Sequence, residues 1–203
     1  MIHHVWGLLH HPDAEWHKIS GEHESVSHLY VHHVLVLAVI PVVCALIGTT
    51  QIGWTYGGSD TYKVSITDGL ALGVAFYALM LMAVGVVGSV IHWLARKLES
   101  RPSRRNCIIF AGYIGTPMFL SGVFALYPAL WFCMLGLVIG LLYSAYLLYK
   151  GTPSFLGISH KRGFIISTAT LCIGVLVLEV LLAVIVLLWS MGSEYSVVWW
   201  FFG

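Results

Sequence analysis

The sequence predicts an all-α, polytopic membrane protein: a five-transmembrane-helix bundle with its N-terminus in the cytoplasm and its C-terminus on the far side. Three observations carry that expectation. Hydrophobic residues make up 59% of the 203 and charged residues only 9%, where a soluble domain carries about a quarter charged. The few charges are unevenly placed, leaving apolar runs of roughly 20 residues, the length that crosses about 30 Å of hydrocarbon. Lys and Arg gather in alternate connections, as the positive-inside rule demands.

Lipid offers no partners to backbone N–H and C=O groups, so each apolar run is expected to be a helix. Five runs can be drawn, from Val34 to Gly53, Leu70 to Leu94, Cys107 to Leu126, Ala129 to Tyr149 and Gly163 to Trp189. Arg96, Lys97, Arg101, Arg104 and Arg105 follow span two, Lys150, Lys161 and Arg162 follow span four, and Lys18 precedes span one. An N-in arrangement puts these in the cytoplasm and leaves Lys63 outside, in a loop with Asp60 and Asp68.

Residues 1–33 read as a cytoplasmic, His-rich amphipathic arm, with Val5, Trp6, Leu8 and Leu9 in the headgroup region. That start lacks the basic and apolar stretches of a cleavable signal, so the N-terminus is expected to be retained. Residues 34–190 form the bundle, and 191–203 a periplasmic aromatic tail with Trp199 to Phe202 as interfacial anchor. Only Tyr127 and Pro128 join spans three and four, which predicts a tight antiparallel hairpin with Pro128 in the first turn of the next helix. Gly85, Gly88, Gly136 and Gly140 are spaced for close helix contact within one molecule. The four cysteines lack a C-x-x-C pair and read as small apolar residues.

Composition sets nucleic-acid binding aside, because the basic residues lie at membrane edges rather than along one aromatic-lined face. Most of the eleven histidines fall in the arm. If a helix begins near Ser25, His28 and His32 stand one turn apart, and Glu24 joins them a turn earlier. These three are candidate ligands for a divalent transition metal, Zn²⁺ or Ni²⁺, with cytoplasmic pH sensing as the alternative. His23, Glu24 and His28 do not make the zinc-protease signature H-E-x-x-H, because the histidines are one residue too far apart. Ser121 and Gly122 lack the earlier Gly of the intramembrane serine-protease motif G-x-S-G, Phe119 standing in its place. No enzyme is expected.

Glu179 is the acidic residue that lies well inside a span, and intramembrane carboxyls mark functional sites by default. Pro117 lies at about the same depth in span three, roughly 15 Å from the far surface, and frees the carbonyl of Tyr113. The expectation is that a protonated Glu179 donates to that carbonyl or to Thr116 and locks spans three and five together, a packing role ahead of a proton relay.

The stretches Trp6 to Trp16, Leu46 to Trp54, Phe110 to Pro117 and Ile173 to Leu182 resemble the bacterial branch of the Yip family, the Ypt/Rab-interacting integral membrane proteins, and most closely its YohC-type inner-membrane members. The likeness covers nearly the whole chain and keeps the family's G-Y-x-x-x-P element at Gly112, Tyr113 and Pro117. It lacks the acidic D-L-Y-G-P element, Ser27 to Tyr30 occupying that neighbourhood, so the Rab binding of eukaryotic members is not carried over. The resemblance implies a fold and an inner-membrane location. Two functions fit: a non-enzymatic scaffold that binds membrane-protein partners or forms a homo-oligomer in the lipid bilayer, or a small transporter or channel that passes a metal ion or protons by way of the histidines and Glu179.

Overall fold

The computed structural model describes residues 7–8, 15–16, 18–19, 25–55, 61–96 and 102–192, with side chains to residue 190. Five helices in it are long and apolar enough to cross a membrane. We number them α1 (Val26–Ile52), α2 (Ile66–Ala95), α3 (Arg104–Leu126), α4 (Leu130–Leu156) and α5 (His160–Ser190, its last turn reaching Gly192).

The helix starts follow from capping chemistry. Ser25 accepts from the His28 N–H at 3.1 Å and Ser103 from Asn106 at 3.2 Å, each satisfying one orphan donor of a first turn. Ser65 does the same for Asp68 and returns its hydroxyl to the Asp68 carboxylate at 2.6 Å, a reciprocal pair that also sets an acid at the positive helix end. Consequently α1 opens eight residues ahead of the expected Val34, taking in both His28 and His32. It is not uniform: the turns Tyr30–Val34 and Gly48–Ile52 are π-helical, either side of an α-helical Leu35–Ile47 that contains Pro41.

Helix α3 is three segments: α-helical Arg104–Ile114 and Thr116–Ser121, then 3₁₀ turns over Gly122–Leu126. The first break has a covalent cause, since Pro117 has no N–H to give the Tyr113 carbonyl. Instead Gly115 donates back to Ala111 at 3.0 Å and its own carbonyl receives Phe119 at 3.1 Å. Tyr127 and Pro128 turn the chain into α4, whose N-cap is Ala129. The hairpin is as tight as expected, but Pro128 precedes the cap rather than entering the first turn, because Ala129 donates to Tyr127 at 2.8 Å and closes the turn there. Gly157 (φ 63°) ends α4 in the left-handed conformation that glycine adopts without a Cβ penalty. A two-stranded hairpin, β1 (Trp54–Thr55) and β2 (Thr61–Tyr62), lies between α1 and α2, and Thr55 also donates to the Pro128 carbonyl at 3.3 Å. One end of the molecule is thereby sewn together across two loops.

The helices form a ring in the order α1, α2, α5, α4, α3, with the first segment of α3 crossing to touch α2 and close one end. More than half of the α3 window is buried, 56% against 6% for α5, so α3 is the centre of the fold and α5 its outermost wall. Glycines make this approach possible. Gly88 faces the backbone of Ile108, Gly136 the Phe124 ring and Gly140 the side chains of Ser121 and Met118. The G-x-x-x-G pair of span four therefore packs within the molecule, as its spacing suggested.

Candidate intramembrane polar site

Four residues singled out from the sequence fall in two places. Tyr113, Thr116 and Pro117 are fully buried at the break in α3. Glu179 lies on the exposed face of α5, which packs on α2 and α4 rather than on α3. No hydrogen bond or ion pair joins Glu179 to the other three, so the expected lock between spans three and five is not formed.

Its place is taken by His33. This residue stands in the π-helical turn of α1, 2% exposed, one turn after Leu29 on the face that also buries Val34. The His33 Nε2 lies 2.9 Å from the Thr116 Oγ1, and its ring lies against that of Tyr113 with centroids 4.6 Å apart. Gly112 lets α1 come close: a Cβ there would stand 2.8 Å from Leu29 and 3.3 Å from Val34. The break in α3 matters because it offers the Thr116 hydroxyl to a neighbour. The cluster is an imidazole, a phenol and a hydroxyl in the packed core, where each polar atom needs a partner to offset its lost hydration. Pairing to Thr116 ties α1 to α3 as a structural clamp.

His28 and His32 stand on the opposite, exposed side of α1, their rings 4.4 Å apart. The His32 Nδ1 sits 3.2 Å from the His28 carbonyl; as that carbonyl can only accept, Nδ1 carries the proton and Nε2 is the ring nitrogen left for a ligand. Glu24, the third expected ligand, lies outside the described residues. Groups of three or more potential ligands able to hold a metal are absent among the described residues.

Three described residues of the N-terminal region belong to the core. Leu8, Trp16 and Ile19 are buried in the cluster that holds Phe110 and Leu156, and the Leu8 carbonyl receives the Tyr143 hydroxyl at 3.3 Å. Trp16 lies on Phe110 and Phe155 with centroids 4.9 and 5.9 Å apart, in a notch opened by Gly151. The headgroup position expected for Leu8 is thus replaced by a berth between α3 and α4. Val5, Trp6 and Leu9 lie outside the described residues.

Comparison with known proteins agrees with a domain that includes this segment. The Yip1 domain matches residues 6–182. The chain belongs to the Yip1 family. It is 56% identical over 189 residues to Inner membrane protein YohC of Escherichia coli strain K12, covering 93% of this chain and 97% of that one. The same figures hold for Inner membrane protein YohC of Escherichia coli O6:H1 strain CFT073. No solved structure matches the chain. This Yip1-family protein is accordingly a multi-pass protein of the inner membrane.

Proposed function

We propose that this Yip1-family protein is a non-enzymatic membrane scaffold, oriented N-in and C-out, that associates with a second helix through the outward face of α5. The supporting observation is Glu179, a carboxyl directed away from the bundle near the middle of the most lipid-exposed helix. A carboxyl facing hydrocarbon is costly unless it is protonated and hydrogen-bonded, and a partner helix supplies that bond. Cys172, Leu176 and Ala183 share its exposed face at helical spacing, so the contact would run as a stripe. The transporter reading has less support, since Glu179 is not among the described residues that line the apolar groove between the helices, and none of those residues is charged.

Cys172 is exposed one face-length from Glu179 and reports on the contact directly. In a variant with Cys44, Cys107 and Cys133 replaced by Ala, a short bismaleimide applied to native membranes should link Cys172 into a species of discrete higher mass. Glu179→Leu should lower its yield several-fold and Glu179→Gln, which can still donate, should retain it. A monomer with all three sequences would remove the scaffold reading. For His28 and His32 we infer a weaker role as two ligands of a Zn²⁺ or Ni²⁺ site on this face. Untagged protein should then retain metal through gel filtration and lose it in the His28→Ala, His32→Ala double variant.

A further inference from the structure

Building on the reading of His28 and His32 as metal ligands, we propose that they are half of a Zn²⁺ site that a second copy of this chain completes, the two copies meeting along the outward face of α1. The half-site is geometrically prepared. Both side chains are exposed, one turn apart, with their rings 4.4 Å from each other. Each imidazole needs one nitrogen for a metal, and the other nitrogen of a metal-bound histidine is ordinarily held by a hydrogen bond. At His32 that bond runs from Nδ1 to the His28 carbonyl at 3.2 Å and leaves Nε2 for the metal. Two ligands do not make a structural zinc site, which is tetrahedral with four, and a third is absent among the described residues.

The rest of the face says what supplies the missing pair. Helices α2 and α3 pack on the other side of α1, and the exposed stripe that begins at His28 and His32 continues through Val36, Val39, Val43 and Ile47 to Gln51. From His32 to Val43 the steps are four, three and four residues, the spacing by which one helix meshes its side chains with those of a parallel neighbour. An apolar stripe does not by itself prefer a helix to lipid tails, which are equally apolar. Its two polar ends favour a copy of itself. Copies inserted in the same direction pair through a twofold axis along the membrane normal, which sets each residue of the stripe opposite its own counterpart. At one end, two histidine pairs then face each other and supply four imidazoles, a donor set suited to Zn²⁺. At the other, Gln51 meets Gln51, and an amide carries both a donor and an acceptor for its twin. Because the histidines stand in the first two turns of α1, the metal is held at the bilayer edge, where its charge stays hydrated.

The test uses untagged full-length protein in detergent, stripped with EDTA and titrated with Zn²⁺ alone. Saturation is expected at one Zn²⁺ for two chains, with the mass rising from monomer to dimer over the same range. Co²⁺ in its place should give the strong visible absorption of a tetrahedral site. His32→Ala, an exposed position whose replacement leaves the core intact, should abolish both, whereas Glu179→Leu should change neither. With the four native cysteines replaced by Ala, Val43→Cys reports on the seam away from the metal. A short bismaleimide should link it to its counterpart about tenfold more with Zn²⁺ than with EDTA, since the metal raises the effective concentration of one chain beside the other. The same cysteine with His28→Ala and His32→Ala should show no such gain. One Zn²⁺ retained per chain by a monomer would keep the two histidines as ligands but overturn the shared site, and loss of that metal in Glu24→Ala would place the third ligand within the chain. Protein that retains no Zn²⁺ at all would overturn the ligand reading and the shared site together. A Val43→Cys cross-link that forms equally in EDTA, or in the double histidine variant, would overturn the role of the metal in joining the copies.

Discussion

His33 shows how much one residue decides in this bundle. An imidazole buried in the packed core is stabilised through its partners, and Thr116 supplies one at 2.9 Å. His33→Ala removes the ring stacked on Tyr113 and strands the Thr116 hydroxyl, so it is expected to cost about 2–4 kcal/mol from the cavity and the lost bond together. His33→Gln keeps a donor near the same point and should recover part of that loss. The measurement is the thermal midpoint in detergent. An unchanged midpoint in His33→Ala would show that the clamp contributes nothing. The sequence held a signal for this residue. Leu29, His33 and Val34 share the inward stripe while His28 and His32 lie outward, but the signal is visible only when α1 is extended back to Ser25. Drawn by hydropathy from Val34, the span leaves His33 one residue outside. Glu179 misled for a related reason: depth along a helix was legible, whereas the direction a side chain faces depends on which neighbours α5 packs against.

Among the elements, α3 was the most legible, because a proline at the second position of a new segment has one backbone consequence wherever it occurs. The π-helical turns of α1 had no comparable signature; the first lies where Leu29 and Val34 meet Gly112, and the second begins at Gly48, against the backbone of Ala125. The berth of Leu8 and Trp16 was hidden by polar surroundings: His10, His11, Asp13, Glu15 and His17 lie between or beside them, and period and composition alone read as surface. Its packing predicts a measurable dependence. Trp16→Ala empties the notch over Gly151 and should destabilise by about 3–5 kcal/mol, read as a lower thermal midpoint and faster proteolysis of the first 20 residues. Gly151→Ala should act in the same direction by collision, since its Cβ would stand 2.6 Å from both Trp16 and Phe110. Gly140→Leu should open the hairpin of α3 and α4, driving Ser121 and Met118 aside. Because that glycine faces inward, the variant is expected to lose stability in the monomer while leaving a contact through Cys172 to be governed by Glu179.

At the scale of the whole molecule, an odd number of crossings sets the two ends of the bundle on opposite sides, and charge separates those ends. Arg96, Arg104, Arg105, Lys150, Lys161 and Arg162 gather at the end where α2 passes to α3 and α4 to α5, and Lys63 lies at the other, beside the β hairpin. Moving basic residues across a membrane is disfavoured in short loops, so the basic end is expected to face the cytoplasm. Single cysteines test this, in a background with the four native thiols replaced by Ala. Lys63→Cys should react with a membrane-impermeant maleimide in spheroplasts with an intact inner membrane. Lys161→Cys should react only after that membrane is disrupted, and the reverse pattern would invert the topology.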